Sequence, residues 1–209
     1  MTTVTTPRRS ARKPKGAGHL RRAEILDAAE RIFVAAGYEG ATIRRIADEV
    51  GVSSTALYMH FPDKACILGE ICDGAVSQLL ENNRAIVALR ADAAARVRLM
   101  LEAYMRWGFE HPNAYQLVFS GARPVSALWH DGTADLGARC YELFSGVVRE
   151  IAAQGRLRVG SADSVAQALW AACHGLVALS LKRSTIELAS NDELSGVLLD
   201  GLMCGLLKD

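Results

Sequence analysis

Residues 42–64 read TIRRIADEVGVSSTALYMHFPDK, and this stretch decides the fold. Apolar residues recur in it at spacings of three and four, which places them on one face of a helix. These residues are Ile43, Ile46, Ala47 and Val50. Gly51 follows them, at a position where a helix commonly ends in a left-handed residue. The pattern predicts a short amphipathic helix, a tight turn and a second short helix.

The ends of both helices are marked by residues that cap helices. Thr42 is placed to cap the first, and Ser53 or Ser54 to cap the second. In the second helix we expect Ala56 and Leu57 to face inward. The outward side chains are then Ser54, Thr55, Tyr58 and Met59. Periodicity alone allows two interpretations: an ordinary helix hairpin with a polar surface, or a helix-turn-helix that lays its second helix in the DNA major groove.

A family resemblance favours the second interpretation. The residues that carry it are Thr42-x-x-x-Ile46-Ala47-x-x-x-Gly51-Val52-Ser53-x-x-x-Leu57-Tyr58-x-His60-Phe61-x-x-Lys64. The preceding helix adds Ile25-Leu26-x-Ala28-Ala29-x-x-x-Phe33-x-x-x-Gly37-Tyr38-x-x-Ala41-Thr42. Together they resemble the DNA-binding signature of the tetracycline-repressor (TetR-like) family of bacterial transcriptional regulators, over about residues 22–68.

Helical patterns continue through the rest of the chain, and no strand alternation stands out. We therefore expect an all-α protein of about nine helices. Beyond the two short helices at 42–60, the predicted ones cover 22–36, 63–89, 95–110, 112–120, 133–154, 163–182 and 191–207. The resemblance implies three parts: a disordered basic arm at 1–18, a three-helix helix-turn-helix DNA-binding domain at 19–66, and a helical ligand-binding and dimerisation domain at 67–209.

The resemblance also implies a function. The chain is expected to be a ligand-responsive transcriptional regulator, a repressor that binds a palindromic DNA operator as a homodimer and is released by a small, largely apolar effector. The fourth helix joins the two domains and is the expected lever of that release. The sign of regulation stays open. The alternative is a DNA-binding regulator or architectural protein without a small-molecule effector.

Nine residues are candidate DNA contacts: Thr42, Arg44, Ser53, Ser54, Thr55, Tyr58, Met59, His60 and Lys64. The Thr42 hydroxyl and nearby backbone N–H groups at a helix start suit a phosphate. Arg44 carries a planar donor fork that matches guanine O6 and N7. Tyr58 is expected to bind a phosphate or pack on a thymine methyl, or else to pack against the fourth helix.

Ser54, Thr55 and Met59 are the expected contacts to base edges. Met59 departs from the aromatic residue common at this position in relatives. His60 and Lys64 resemble residues that position the DNA backbone. The alternative for Lys64 is a solvated surface charge.

Basic residues cluster at the N-terminus. Residues 1–22 contain no acidic residue and carry Arg8, Arg9, Arg12, Lys13, Lys15, Arg21 and Arg22. The net charge of the whole chain is only +1, so the remainder is net acidic. Such an arm gains affinity for DNA by displacing counterions from phosphates. The alternative is a solvated tail that only aids solubility.

The two last predicted helices offer a surface for self-association. The helix at 163–182 combines Val165, Leu169, Leu176 and Leu179 with small residues, namely Ala168, Ala171, Ala172, Gly175 and Ala178. The helix at 191–207 adds Leu194, Val197, Leu198, Gly201, Leu202 and Gly205. A four-helix bundle between two copies would bury both stripes, as in relatives; the alternative is that they close the monomer core. Residues 164–181 carry no charge, and we favour an interface helix over a membrane span.

An effector site is expected in the C-terminal part, where aromatic side chains and a few polar groups suit an apolar ligand. Its candidates are Met100, Tyr104, Trp107, Phe119, Trp129, Trp170 and His174. For any one of them, packing in an ordinary core is the alternative. Trp170-x-x-x-His174-Gly175 resembles a Trp-His-Gly feature of one subgroup of the family.

No catalytic motif stands out, and we expect neither an enzyme nor a cofactor. The five histidines form no HExxH motif, and the alternative of a metal site would use His111 with His130 and Asp131, whose spacing is not diagnostic. Five cysteines without a CxxC pair favour reduced thiols, and the polar N-terminus lacks the pattern of a signal peptide. The expected location is the cytoplasm.

Overall fold

The computed structural model describes residues 18–119, 133–182 and 187–208. These residues form nine helices and no strand, apart from one isolated antiparallel bridge between Leu157 and Leu207. The helices are α1 Gly18–Gly40, α2 Ile43–Val50, α3 Ser54–Tyr58, α4 Lys64–Val87, α5 Ala93–Glu110, α6 Pro112–Phe119, α7 Thr133–Ala153, α8 Ala162–Leu181 and α9 Asn191–Leu206. The prediction of an all-α chain is confirmed. The basic arm at 1–18 and Trp129 fall almost wholly outside the described residues.

Most helix boundaries agree with the sequence pattern because capping residues set them locally. Ser161 caps α8 in a capping box with Ser164, and Ser190 caps α9. The largest difference is in α1, which continues past its predicted end at residue 36. It does so through a kink at Gly37, whose φ of 70° is a conformation that glycine adopts without strain.

Contacts along the chain divide it into two units. The N-terminal unit runs to Gly74, within α4, and also includes α6 from Asn113. The C-terminal unit comprises Ala75–Pro112 and the chain from Ala134 onward. The sequence-based boundary at residues 66–67 therefore differs from this division, which falls inside a continuous helix. A change of unit within α4 leaves no compositional trace in the sequence.

The N-terminal unit is held together by one apolar cluster. Helices α1 to α4 all contribute side chains to it, and Leu117 of α6 joins them. Its most buried members are Ile25, Ala29, Phe33, Ala41, Ile46, Ala47, Leu57, Phe61, Ile67 and Cys72. Because α2 and α3 are too short to be stable in isolation, their stability comes from burial in this cluster.

In the C-terminal unit, α5 packs against α8 and α9, which also pack against each other. Ion pairs join α5 to its neighbours: Arg96 to Glu150 of α7 at 2.6 Å, and Arg98 to Asp200 of α9 at 2.7 Å. Few residues of the last two helices are buried. These are Val165, Ala166, Leu169, Cys173 and Val177 of α8, and Leu199 of α9.

Gly51 allows a direct test of how the turn is built. Its φ of 72° is left-handed, so we expect Gly51→Ala to lower the free energy of unfolding by about 1–2 kcal/mol. Gly74→Ala is the matched control, because Gly74 lies within α4 with nothing within 4 Å of an added Cβ. That substitution should raise stability by about 0.5–1 kcal/mol. Urea unfolding followed by circular dichroism measures both, and equal effects would contradict the assigned turn.

Candidate nucleic-acid interface and aromatic cluster

The turn between α2 and α3 is fixed by backbone hydrogen bonds. The Gly51 and Val52 N–H groups donate to Asp48 and Ala47 carbonyl oxygens at 3.1 and 2.9 Å, the pattern of a helix C-terminus closed by a left-handed glycine. At the other end of α2, Thr42 Oγ1 accepts a hydrogen bond from the Arg45 N–H at 3.1 Å. The predicted Thr42 cap and Gly51 turn are confirmed.

Helix α3 has five residues and one fully buried side chain, Leu57. Of the two candidate caps, Ser53 is the one used, since its Oγ accepts from the Ala56 N–H at 3.1 Å. The expectation that Ala56 faces inward is wrong: Ala56 is exposed. Successive helical residues are separated by about 100°, so a helix this short presents only one of the two neighbours to the core.

The remaining candidates on α3 face solvent. Tyr58 is 54% exposed and Met59 is 83% exposed, while Thr55 is exposed and Ser54 is half-buried. Met59 is the residue that caps the C-terminal end of α3. This exposure leaves the Tyr58 ring accessible, in contrast to the alternative in which it packs against α4.

Arg44 extends into solvent from α2. Its side chain is 86% exposed, and its Nε lies 3.9 Å from the Asp48 carboxylate one turn later. An exposed pair at this distance contributes little to stability, so the guanidinium is available to an incoming ligand. Arg45 beside it is also exposed. The sequence analysis did not single out Arg45, although its spacing from the apolar stripe already placed it outside.

The Lys64 side chain forms its contacts within the N-terminal unit. Its Nζ donates to the carbonyl oxygens of Tyr38 and Ala41 at 2.8 and 3.3 Å, and lies 4.1 Å from the centroid of the Tyr38 ring. The side chain is only 26% exposed, which does not agree with a freely solvated charge. Lys64 thus ties the start of α4 to the end of α1. A phosphate contact by Lys64 stays a prediction and would have to share its ammonium with these carbonyls.

Two arginines of the N-terminal basic cluster, Arg21 and Arg22, are part of α1. Arg21 pairs with Glu24 at 3.1 Å, and Arg22 forms a two-pronged pair with Glu70 of α4. Both were counted with the basic residues of 1–22, although the arm itself was predicted to end at residue 18. The partner of Arg22 lies 48 residues away in sequence, and no local pattern pointed to it.

In the C-terminal unit, four of the predicted effector residues come together. The Tyr104 hydroxyl lies 2.9 Å from His174 Nδ1, in a hydrogen bond whose direction depends on the tautomer. The His174 ring is 5.7 Å from Trp170, and Trp107 is 6.3 Å from Tyr104. Tyr141 of α7 completes the set, with an edge-on contact to Trp170 at 5.9 Å. We call these five residues the aromatic cluster.

Burial lowers the pKa of His174 below its usual value. The imidazole is therefore neutral at pH 7, with one nitrogen as donor and the other as acceptor. A neutral ring among aromatic side chains suits a ligand that is largely apolar and offers one polar group.

The other effector candidates do not all join the cluster. Met100 is buried within α5. Phe119 packs on Tyr115 at 4.8 Å in α6 and belongs to the N-terminal unit, so its expected place with the other candidates is not supported. Two grooves of about 470 and 410 Å³ lie elsewhere in the C-terminal unit, and none of the five cluster residues lines either of them.

None of the five cysteines forms a disulfide bond. Burial raises the pKa of the Cys140 thiol to about 11 and that of Cys173 to about 12. Both thiols stay protonated at neutral pH and are poor nucleophiles. No group of three or more metal-ligating side chains occurs in the described parts of the chain, which do not include His130 and Asp131.

Comparison with known proteins agrees with this arrangement. A family model described as bacterial regulatory proteins, tetR family, matches residues 25–71, and a second, described as tetracyclin repressor-like, C-terminal domain, matches residues 97–202. The chain belongs to the tetR family. Its members are regulators of transcription and not enzymes, which confirms the prediction that this tetR-family chain is not an enzyme. The narrower Trp-His-Gly subgroup stays a prediction.

Individual relatives carry both signs of regulation. The transcriptional activator FasR of Mycolicibacterium smegmatis is 30% identical over 123 residues, or 55% of this chain and 56% of FasR. The transcriptional repressor KstR2 of Rhodococcus jostii is 38% identical over 90 residues, or 43% of this chain and 42% of KstR2. The chain thus matches about half the length of these relatives. The crystal structure of PfmR from Thermus thermophilus superposes with a TM-score of 0.73 at 23% identity, over 87% of this chain and 97% of PfmR, and so shares the fold.

Arg44 provides a test of base recognition. If its guanidinium binds a base edge, Arg44→Ala should weaken binding to the preferred duplex by about 1–3 kcal/mol and relax the choice of base at one position. Arg90→Ala removes the same charge from an exposed site in the other unit and serves as control. Fluorescence anisotropy with preferred and random duplexes measures both. An equal loss on the two duplexes would instead identify Arg44 as a phosphate contact.

Proposed function

We propose that this protein is a transcriptional repressor that binds a palindromic DNA operator as a homodimer and is released by a small, largely apolar effector. The observation that carries the DNA-binding part is the pair α2–α3. A tight glycine turn joins the two helices, Leu57 anchors α3, and its opposite side exposes Thr55, Tyr58 and Met59. A helix so presented has the geometry that enters a major groove.

The proposed division of labour follows the exposure of each group. Thr42 is exposed at the start of α2, where the helix dipole favours a phosphate. Thr55, Met59 and Ser54 face base edges, with Arg44 beside them. Tyr58 contacts a phosphate or a thymine methyl, and His60 contacts the DNA backbone. Such a regulator acts on the chromosome, so we place it in the cytoplasm.

The apolar stripes on α8 and α9 support self-association. Several of the residues predicted for an interface are exposed in the single chain: Ala168, Ala171, Gly175 and Leu179 of α8, and Val197, Gly201 and Gly205 of α9. Val165 and Leu169 are instead buried in the monomer, so they are not available to a partner. Among the described residues, α8 is the one helix long and apolar enough to cross a membrane. A second copy of the chain packed on the exposed face of α8 accounts for the apolar composition of this helix. The small residues on α8 and α9 allow the helices of the two copies to approach each other closely.

The aromatic cluster is the proposed effector site. Its polar centre, the Tyr104–His174 hydrogen bond, lies beside the rings of Trp107, Trp170 and Tyr141. Tyr104 and Trp107 are only 8% and 4% exposed, so an effector has to displace neighbouring side chains to reach them. Such a ligand binds one conformation better than another and thereby shifts the population. The same burial favours the alternative, a DNA-binding regulator without an effector.

The sign of regulation is part of the proposal. Two recognition helices must lie about 34–36 Å apart to enter successive major grooves. Helix α4 continues from the N-terminal unit into the C-terminal unit, so a change at its C-terminal half is transmitted covalently toward α3. An effector that favours a different spacing lowers operator affinity by linkage and relieves repression.

Selection of bound duplexes from a random pool tests the DNA-binding proposal. We expect an inverted repeat whose half-sites are centred one or more helical turns apart, at about 10 bp per turn. Enrichment of a single unrepeated motif, or no binding to any duplex at low ionic strength, would contradict the proposal.

Leu179→Arg should then yield a monomer with greatly weakened binding to the inverted repeat, because a charge replaces an apolar side chain in the proposed interface. Leu89→Arg is a closely matched control, since Leu89 is also 47% exposed but lies outside α8 and α9. Sedimentation velocity gives the oligomeric state, and circular dichroism confirms folding. A dimeric Leu179→Arg variant would argue against this interface.

Tryptophan fluorescence tests the effector site, since the three tryptophans all lie beyond residue 100. Compounds from a panel of apolar and aromatic molecules that quench this fluorescence should also weaken binding to the selected duplex. His174→Gln should abolish both effects, whereas His111→Gln, at an exposed histidine after α5, should keep them. A broad panel without quenching or thermal shift would favour the regulator without an effector.

A further inference from the structure

Arg22, near the start of α1, contacts two other parts of the N-terminal unit, α4 and the segment that follows α3. Its Nε donates to Glu70 Oε1 of α4 at 2.9 Å, and one terminal nitrogen donates to the second oxygen of the same carboxylate. Its other terminal nitrogen donates to the His60 carbonyl oxygen at 2.5 Å. Its guanidinium carbon lies 4.0 Å from the centroid of the Phe61 ring. One side chain thus joins α1, the segment after α3, and α4.

The shape of the guanidinium group is what makes this set of contacts possible. It offers two parallel N–H groups to a carboxylate, keeps further donors for a carbonyl, and lays its flat face on an aromatic ring. A lysine ammonium carries the same charge without this fork. The arrangement therefore depends on arginine geometry as well as on positive charge.

Helix α3 needs such external support at its C-terminal end. Leu57 is its one fully buried side chain, and the N–H groups of His60 and Phe61 both donate to the Leu57 carbonyl oxygen, at 2.9 and 3.0 Å. The chain then leaves α3 toward α4, and on this path the backbone carbonyl of His60 accepts the hydrogen bond from Arg22. This carbonyl lies between two buried side chains, Leu57 and Phe61, so the contact with Arg22 fixes the backbone between them.

We propose that Arg22 is a positioning residue for DNA recognition, which fixes the C-terminal end of α3 against α1 and α4. It thereby sets the angle at which Thr55, Tyr58 and Met59 meet the bases. This inference rests on the proposed function, in which α3 binds duplex DNA. It assigns Arg22 a role different from the phosphate contact that a place in a basic arm would give it.

Glu70→Gln separates these two roles because they require opposite changes in affinity. The probes are the duplex that the wild-type protein selects from a random pool and a random-sequence duplex of equal length. A positioning role predicts about fivefold weaker binding to the selected duplex and unchanged binding to the random one. A phosphate contact predicts stronger binding to both, since the substitution removes a negative charge beside Arg22. That result would overturn the inference.

Substitutions of Arg22 itself give a second readout. Arg22→Lys and Arg22→Gln should both lose selectivity, and the slope of log affinity against log salt should stay that of the wild type because no phosphate contact is lost. The double variant Arg22→Gln/Glu70→Gln should be no weaker than Arg22→Gln alone, since the two groups act as a unit. Full activity in Arg22→Lys together with a reduced salt slope in Arg22→Gln would overturn the inference.

Measuring the folded fraction of each variant distinguishes a general loss of stability from a specific loss of DNA recognition. Glu81→Gln is the control, because Glu81 is a second carboxylate on α4 with its own partner, Arg84, and should leave both affinities unchanged. If both affinities fall in proportion to the unfolded fraction, Arg22 is only structural and the inference is wrong. If the wild-type protein selects no duplex, the proposed function fails and this inference falls with it. A selective wild type with an equally selective Glu70→Gln variant overturns this inference alone.

Discussion

The DNA-binding unit depends on one constraint: α3 is a helix of five residues that buries a single side chain, Leu57. A helix of this length has no stability of its own, because the cost of forming its first turn is not recovered by further hydrogen bonds. Its position is therefore determined by what holds its two ends. The glycine turn at Gly51 and the Ser53 cap hold the first end, and the contact between Arg22 and the His60 carbonyl holds the second.

The features of this unit that could be predicted from the sequence are those set by near neighbours. Thr42, Gly51 and Ser53 cap or end helices through atoms no more than five residues away, so a local pattern contains the whole cause. The stripe of apolar residues on α2 likewise follows from helical periodicity. For the same reason the bounds of most helices agree with their predicted ranges.

Contacts between distant segments could not be predicted in this way. Lys64 donates to carbonyls at the end of α1 that lie 26 and 23 residues earlier, and no local pattern indicated these partners. Arg22 was counted among the basic residues of 1–22 because charge composition does not distinguish an ion paired within the fold from a solvated one. The aromatic cluster shows the same limit: composition indicated its members, but helix packing decided that Tyr141 joins it and that Phe119 packs on Tyr115 elsewhere.

The buried face of helix α8 also could not be predicted from its sequence, because the helix is apolar on more than one face. The structure divides the helix: Leu169, Cys173 and Val177 are fully buried, and the stripe through Gly175 and Leu179 is open. A stripe that is left open against water costs free energy in proportion to its apolar area, which a partner would recover.

The pairing of charges also limits how the N-terminal unit can recognise DNA. Arg21, Arg22 and Lys64 have partners within the unit, and Arg31 lies 3.5 Å from Glu49. The exposed cations nearest to α3 in sequence are then Arg44 and Arg45 of α2, of which Arg44 is only loosely paired. With so few cations, electrostatic attraction to phosphate makes a modest contribution from this part of the chain. In the proposed function, discrimination between sequences then depends on the placement of the short α3, whose first end is held by the Ser53 cap and whose second end is contacted by Arg22.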